Sequence, residues 1–580
     1  MKSLSFIIKT LSVIALTMLM AFDIAQAQVP TDSIDEEANW ISELEKLKPI
    51  EEAPTDSIVA DFNEFIRLLE ETHPDPYTNY GGRPYFRLKA MDTRFGLIED
   101  SVTSTDELAR RIKEFLTPLE DGHTNINNGM FSFFDEHKKE KSAPIGFWPY
   151  NDGVFVNSIM SEHRDLLGSR LIGIEGIPFK EICNKLAQYH SAENEIGRIS
   201  NFGFISGLMS NELEKAIPNM REDSITYQIL TPEGKPIDLT IPLQEGFGGN
   251  NVELAQVENS APFPSQKNLS YLFVDDKKHT MYFRSSQIMA RDALEYMYNN
   301  GMDMSDYLKR MYWNYNDDEM PDDVTTALAK IPSFSDEFGK MLQEMKKNKS
   351  KNLIIDLRGN GGGYTPITLP TLYQMWGDKY LTESSKFGIK FIQLFSPLYL
   401  EKMNISIEEF NAKASDEGFI LGDYMASSEE DYAPEVITDD FRSRMIGLMM
   451  SSIKDQLTAQ HGKPVYTPEH VYVLINPTTY SAAFHYAFFL WKMGATIVGT
   501  PSKQAPNTYM EQTPFELPRT KLKGSISNSL QLFLPEDDPR AKQFTPDLMV
   551  TYDDYKRYNF DANTELLFLL DYINGKIKAK

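Results

Sequence analysis

The sequence feature that most constrains the fold is an apolar run that leads directly into a glycine-rich turn, at residues 352–363. The run predicts a buried β-strand, and four of the five positions from Gly359 to Gly363 are glycine. Glycine reaches backbone conformations with positive φ and leaves amide N–H groups uncovered. Adjacent uncovered N–H groups form an anion cradle, which suits a phosphate or a developing oxyanion. A tight glycine turn without a ligand is the alternative.

A second strand-to-helix junction lies at residues 471–483. An apolar run ends at Asn476 and Pro477, and Ser481 then opens an apolar helix. A serine in this position lies in the positive field of the helix N-terminus, where N–H groups could hold the oxyanion formed by its attack on a carbonyl. Serine is also a common helix cap, so both interpretations stay open. The P-loop, dinucleotide and G-x-S-x-G motifs do not occur in the chain.

A serine nucleophile needs a base, and two histidines are candidates. The Asp-Gly pair at residues 121–122 breaks an amphipathic helix and places His123 on a loop. His485 lies four residues after Ser481, one turn along the same helix. Its side chain would have to fold back towards the serine, so His123 is the stronger candidate.

The composition excludes several classes of function. The 58 Lys and Arg against 84 Asp and Glu leave a net charge of −26, and such a surface repels nucleic acid. The single cysteine, Cys183, excludes an intramolecular disulfide and a cysteine-based zinc cluster. The 9 histidines show no H-E-x-x-H or H-x-x-x-H pattern. We therefore expect neither a metal ion nor an organic cofactor.

The N-terminal residues 1–27 have the pattern of a secretory signal peptide. Lys2 and Lys9 accompany an apolar stretch at residues 11–22, and the small residues at 25 and 27 suit a cleavage site. The stretch is shorter than the roughly 20 residues that span a bilayer. An uncleaved anchor or a buried helix is the alternative. We expect an exported protein, soluble in the periplasm or outside the cell, with no integral membrane segment after cleavage.

The remaining chain divides by its periodicity. Apolar residues between residues 57 and 119 recur at helical spacing, as in Phe62, Phe65, Ile66 and Leu69. Short apolar runs separated by turn residues then predict a small β-rich domain with a helical insert near residues 181–216. After a linker, strands alternate with helices, which predicts an α/β core with a partly parallel sheet. The fold class is therefore mixed α/β with several domains.

Five segments, in order along the chain, resemble motifs of the tail-specific (C-terminal processing) serine protease family. Its wider group includes the tricorn core protease and the interphotoreceptor retinoid-binding repeats. The five segments are residues 121–124, 356–363, 480–483, 497–500 and 544–548. Residues 168–178 also resemble part of the family's PDZ-like domain. The units that this resemblance implies are a signal peptide (1–27), an N-terminal helical region with the histidine loop (28–140), a PDZ-like domain (141–244), a linker (245–268), the protease core (269–560) and a C-terminal helix (561–580).

The resemblance also implies roles for single residues. Ser481 matches the nucleophile, and His123 matches the histidine of the tricorn-like branch. Pro506 stands where the Ser-Lys branch has its lysine base, and Lys503 is only nearby, so the chain is more similar to the tricorn and retinoid-binding branch. Glu536 is the acidic partner that the resemblance implies, and a solvated acidic turn is the alternative interpretation of that residue.

The function that follows is that of an exported serine endopeptidase acting on a polypeptide substrate. The resemblance implies that the N–H groups of Gly361, Gly362 and Ala482 hold the oxyanion. The PDZ-like domain would present a peptide by adding it to a sheet edge. The alternative is a weakly active or inactive family member that binds a peptide or a lipid, because the retinoid-binding repeats show that one fold serves both uses.

Overall fold

The computed structural model describes residues 51–127, 141–206, 210–218, 220–245, 252–260, 267–302, 304–414, 418–428, 436–449 and 451–578. The predicted signal peptide lies outside these ranges, as do residues 28–50. Within these ranges no helix combines the length and the apolar character needed to cross a bilayer.

Helices surround three main sheets, and the predicted mixed α/β fold class is confirmed. The α-helices are Thr55–Thr72, Arg83–Glu99, Thr105–Leu116, Phe179–Leu186, Glu195–Ser206, Ser210–Ala216, Arg291–Asn299, Ser305–Tyr315, Val324–Ala329, Phe334–Asn348, Leu369–Trp376, Asp378–Ser384, Pro397–Lys402, Ile407–Ala414, Asp439–Leu448, Lys454–Ala459, Ala482–Lys492, Tyr552–Arg557 and Thr564–Ile573. Short 3-10 helices are Thr78–Tyr80, Thr117–Leu119, Ser161–Leu166 and Thr365–Thr368.

The predicted partly parallel sheet, here called the core sheet, is confirmed. Its strands, in spatial order, are Leu269–Phe273, Thr280–Ser285, Asn352–Asp356, His470–Ile475, Thr496–Gly499 and Leu548–Met549. The first pair is antiparallel and every later pair is parallel. Ile354 pairs with Tyr472, so the strands before the glycine turn and before Ser481 are neighbours. Because parallel strands end at the same edge of a sheet, both turns emerge side by side.

The core sheet is buried on both faces, which explains its continuous apolar runs. On one face, Leu353 and Ile355 join the core formed with helices Phe334–Asn348 and Ala482–Lys492. On the other face, Ile354 joins the core that includes helix Thr564–Ile573. Helix Ala482–Lys492 is therefore held firmly against the sheet, with Ser481 at its N-terminus.

A second sheet, here called the hairpin sheet, carries the histidine loop. Its strands are Asn125–Asn127, Lys390–Leu394, Tyr424–Ser428, Asn507–Glu516 and Lys523–Leu532. The last two form a long antiparallel hairpin, and Asn125 pairs with Ser525 on it. Phe65 of helix Thr55–Thr72 packs against Phe515, with ring centroids 5.8 Å apart. The N-terminal helices thus share a core with the hairpin sheet.

A third, seven-stranded sheet occupies the predicted β-rich region, and its helices include the predicted insert. Its strands are Ile145–Tyr150, Gly153–Met160, Arg170–Ile174, Ile177–Pro178, Ser224–Leu230, Pro236–Pro242 and Leu254–Gln256. A separate pair joins Lys141–Ser142 to Gln244–Glu245. Strand Leu254–Gln256 lies inside the span expected to be a linker and pairs with Gly153–Met160. That this sheet forms a PDZ-like domain stays a prediction.

A buried ion network fixes the start of the glycine turn. The Arg358 guanidinium donates to Asp356 at 2.7 Å and to Glu565 at 2.8 Å. The three side chains are 11%, 2% and 1% exposed. Both carboxylates depend on this one cation, because burial removes the water that would otherwise solvate them.

We expect Arg358→Met to destabilise the protein by about 3–5 kcal/mol, because it leaves two buried carboxylates without their cation. The measurement is the urea midpoint of unfolding followed by circular dichroism. Lys351→Met is the matched control, since it removes a cation paired with Glu469 where both side chains are more than half exposed, and such pairs contribute about 0–1 kcal/mol. Equal midpoints for the two variants would contradict the prediction.

Candidate active site

Ser481 adopts an unusual backbone conformation between strand His470–Ile475 and its helix. Its φ is 53° and its ψ is −126°, a region that costs a non-glycine residue about 1–3 kcal/mol. Its side chain makes no capping hydrogen bond. A serine that only capped the helix would have extended backbone and would accept a bond from its first turn. The conformation of Ser481 is therefore not that of an ordinary capping serine, and it resembles the strained strand-to-helix turn of a nucleophile elbow.

The glycine turn packs directly against Ser481. The Tyr480 N–H donates to the Asn360 carbonyl at 3.0 Å. A Cβ placed on Gly362 would lie 2.7 Å from Ser481 Cβ and 3.0 Å from the Ala482 nitrogen. Gly362 also has φ of 108°. Only glycine fits there, because the space is filled and the conformation is disfavoured for other residues.

Two backbone N–H groups, one after Ser481 and one in the glycine turn, have no hydrogen-bond acceptor within the described part of the chain. They belong to Ala482, at the first turn of its helix, and to Gly361, which is exposed. Space is open beside Gly361, since a Cβ there would meet nothing within 4 Å. The Gly362 N–H differs, because it donates to Asn360 Oδ1 at 2.9 Å.

His123 is held by its backbone and buried by its neighbours. Its carbonyl accepts from Gln512 Nε2 at 3.0 Å and from the Ser525 hydroxyl at 3.1 Å, both on the hairpin sheet. Its own N–H donates to Asp121 Oδ1 at 2.7 Å. Burial lowers the pKa of His123, against the attraction of Asp121. The imidazole is therefore neutral near pH 7, as a general base must be.

Asp121 is itself a buried carboxylate at the start of the histidine loop. Its Oδ2 lies 3.4 Å from His73 Nε2, and neither side chain is exposed. Burial would raise the pKa of Asp121, but the neighbouring His73 imidazole lowers it to about 2. Asp121 therefore keeps its negative charge near pH 7, at the start of the loop that carries His123.

Tyr480, the residue that precedes Ser481, contacts the histidine loop. Its ring stacks on the His123 imidazole with centroids 4.9 Å apart and planes at 22°. Its hydroxyl lies 3.3 Å from His123 Nδ1. Tyr480 belongs to the turn at residues 476–481, here called the serine turn, so this stacking places His123 beside that turn. His123 Nε2 is buried and has no hydrogen-bond partner among the described residues.

The other predicted residues lie in different settings. No hydrogen bond or ion pair within the described ranges joins Glu536, which is exposed, to His123 or Ser481. His485 contacts the Thr365 hydroxyl at 2.9 Å, and burial lowers the pKa of His485 to about 3. Its other ring nitrogen, Nε2, lies 3.1 Å from Met510 Sδ, so both ring nitrogens have partners other than Ser481. The Lys503 ammonium lies 5.4 Å from the centre of the Tyr480 ring.

Two side chains at this site were not expected from the sequence. The Gln504 carboxamide oxygen accepts from the Ser481 N–H, which braces the strained turn. Glu193, which precedes helix Glu195–Ser206, accepts from the Tyr480 hydroxyl. Gln504 lies close to the position of the Ser-Lys lysine, which is a weak local signal. No local sequence signal points to Glu193, because it lies far from the other site residues along the chain.

Comparison with known proteins identifies the core region. Residues 325–548 match the sequence profile of Peptidase family S41. Mature CPAF complexed with lactacystin is 15% identical, with a TM-score of 0.49 over 90% of this chain and 99% of that one. The photosystem II D1 C-terminal processing protease is 11% identical, with a TM-score of 0.36 over 86% and 94%. The tricorn protease is 10% identical, with a TM-score of 0.28 over 90% and 37%. No curated protein sequence matches the chain significantly.

We expect Gly362→Ala to slow the modification of Ser481 by a serine-reactive fluorophosphonate by about 10²-fold or more, because the added methyl displaces the serine turn from its N–H donors. The rate is measured by mass spectrometry of the adduct. Gly447→Ala is the control, since Gly447 is exposed and an added Cβ meets nothing within 4 Å. A wild-type rate in Gly362→Ala would show that the turn does not shape the site.

Proposed function

Because the chain belongs to peptidase family S41 through residues 325–548 and is a serine-type peptidase, we propose that Ser481 is its nucleophile and His123 its general base. The observation that carries the proposal is the strained serine turn, with an uncapped hydroxyl, next to a ring stacked on a buried neutral histidine. Strain of this kind persists where the surrounding structure enforces it, and it concentrates at active sites.

In the proposed mechanism His123 takes the hydroxyl proton of Ser481 as Oγ attacks the peptide carbonyl carbon. The resulting oxyanion accepts hydrogen bonds from backbone N–H groups, and the protonated imidazole gives its proton to the departing amine. Water then attacks the acyl-enzyme, with His123 again acting as the base. The products are a carboxylate and an amine, and Ser481 recovers its proton.

We assign the oxyanion donors to the N–H groups of Ala482 and Gly361, since both lack an acceptor within the described residues. Gly362 allows the close approach of the turn. Its N–H would join the donors only after releasing Asn360 Oδ1. Removal of one such donor typically costs about 2.7–4 kcal/mol of transition-state stabilisation.

The role of Glu536 as the acidic partner stays a prediction from the family resemblance. Glu536→Gln and Asp537→Asn neutralise adjacent exposed carboxylates, so they form a matched pair. A loss of peptidase activity confined to Glu536→Gln would support the role, and equal activities would remove it.

Export and endopeptidase specificity are also proposals. The N-terminal sequence supports export, and the mature chain is then expected to begin near Gln28. A polypeptide substrate follows from the peptidase family. The open space beside Gly361 supports access of an extended chain to Ser481.

We expect Ser481→Ala to abolish both fluorophosphonate labelling and hydrolysis of a fluorescent denatured protein, because the nucleophile is gone. His123→Ala should lower both rates by about 10²–10⁴-fold, the usual contribution of a general base. Labelling is located by mass spectrometry. Lys503→Met is measured alongside, since labelling that survives in His123→Ala but is lost in Lys503→Met would assign the base to the lysine. Labelling absent from the wild type would favour the binding-protein alternative.

A further inference from the structure

We propose that Glu193 is a positioning residue that orients His123 for catalysis through the hydroxyl of Tyr480. The inference rests on the proposed function, because it assigns a partner to the proposed base. Glu193 lies in the helical insert of the seven-stranded sheet region, far along the chain from the acidic turn at residues 536–538.

The Glu193 carboxylate has two defined hydrogen-bond partners. Its Oε1 accepts from the Tyr480 hydroxyl, and its Oε2 accepts from the Ala505 N–H at 2.8 Å. The residue is only 5% exposed. A carboxylate that is buried to this degree is costly unless each oxygen is bonded, so its presence requires these partners.

The proton arrangement follows from these bonds. Since the Tyr480 hydroxyl donates its only proton to Glu193, its oxygen is left to accept from His123 Nδ1, 3.3 Å away. The His123 proton then lies on Nδ1, and the lone pair lies on Nε2. Nε2 is the ring nitrogen without a hydrogen-bond partner among the described residues. This tautomer is the one that can accept the serine proton.

The segment that carries Glu193 is anchored on both sides of the site. Asn194 Nδ2 donates to the Ser502 carbonyl at 3.1 Å and to the Lys542 carbonyl at 3.3 Å. The Ser191 hydroxyl donates to the Asp121 carbonyl at 3.3 Å. These bonds fix Glu193 against the histidine loop and against the segment that follows strand Thr496–Gly499.

Gly122 supplies the space in which the two side chains meet. A Cβ on Gly122 would overlap the Tyr480 hydroxyl and would lie 2.7 Å from Glu193 Oε1. The residue before His123 must therefore be glycine for this contact to form. The Asp-Gly pair, noted in the sequence as a helix breaker, has a second role here.

The charges around Glu193 predict how the contact depends on pH. Burial raises the pKa of Glu193 to about 7, while its bonds from Tyr480 and Ala505 oppose that rise. Asp121 also raises this pKa, and the Lys503 ammonium attracts the carboxylate. Ionised Glu193 is the stronger acceptor, so it makes Tyr480 a better acceptor for His123 Nδ1. The activity should therefore rise as the pH increases through about 7.

The test measures Ser481 labelling by a fluorophosphonate from about pH 5 to about pH 9, a range that spans the titration of both groups. Glu193→Gln keeps the shape of the side chain and removes its charge. Tyr480→Phe keeps the ring and removes the hydroxyl. Glu195→Gln is the control, because it makes the same exchange two residues along the segment, at an exposed carboxylate that pairs with Arg198 at 3.7 Å and takes no part in the Glu-Tyr-His contacts. Thermal midpoints are compared for all variants, and Tyr480→Phe carries the test if Glu193→Gln does not fold.

We expect Glu193→Gln and Tyr480→Phe each to lower the labelling rate by about 10²-fold, a typical contribution from base catalysis. The double variant should lose no more than either single one, because both break the same chain of contacts. In Glu193→Gln the rise near pH 7 should disappear and leave only the titration of His123 at lower pH. With a peptide substrate kcat should fall while KM stays unchanged. Glu195→Gln should keep the wild-type rate and pH profile.

Additive losses, or unchanged rates and pH profiles in both single variants, would overturn this inference while leaving the proposed function intact. A wild-type protein that is not labelled at Ser481 would overturn the proposed function, and this inference with it.

Discussion

The contact between the glycine turn and the serine turn is the constraint on which the rest of the site depends. The Thr479 hydroxyl donates to the Leu357 carbonyl at 2.8 Å, and the Gly359 N–H donates to Asn476 Oδ1 at 3.0 Å. Both turns follow adjacent parallel strands of the core sheet. These bonds therefore continue the connection between the two strands beyond the edge of the sheet. The proposed N–H donors and the Ser481 hydroxyl are thereby held in fixed positions relative to each other, which is the condition for effective oxyanion stabilisation.

The histidine depends on a different part of the molecule. Its loop is joined to strand Lys523–Leu532 by β-pairing, and that strand forms the hairpin with Asn507–Glu516. The Ser527 N–H donates to the Thr124 hydroxyl at 2.9 Å, which continues this attachment. The proposed nucleophile and the proposed base are thus held by separate sheets. Tyr480 connects them, and the hairpin that carries the histidine loop packs beside helix Ala482–Lys492.

Much of this arrangement could be predicted from the sequence, because local patterns determine it. The apolar runs at residues 353–357 and 471–475 form neighbouring strands, and the expected helix at 481–493 is present as Ala482–Lys492. The hairpin was not foreseen, since its polar residues alternate with apolar ones only in part. The sequence also could not distinguish a helix-capping role for Ser481 from a nucleophilic one. Both roles place serine at a helix N-terminus, and they differ only in backbone dihedrals and in what the hydroxyl contacts.

Glu193 marks the limit of prediction from local pattern, because its bonds to Tyr480 and Ala505 span 287 and 312 residues. The position of Glu193 also shows that the geometry of the serine turn and the orientation of His123 have different structural origins. The serine turn and the glycine turn lie at the edge of the core sheet and are braced by Gln504, whereas the Glu193 contact requires the segment from the seven-stranded sheet region to be docked. If that docking were lost, we expect Ser481 to keep its contact with the glycine turn, while the Tyr480 hydroxyl would lose Glu193, the acceptor through which we propose that it selects the tautomer of His123. The geometry of the proposed nucleophile and the orientation of the proposed base therefore depend on different interfaces of the same fold.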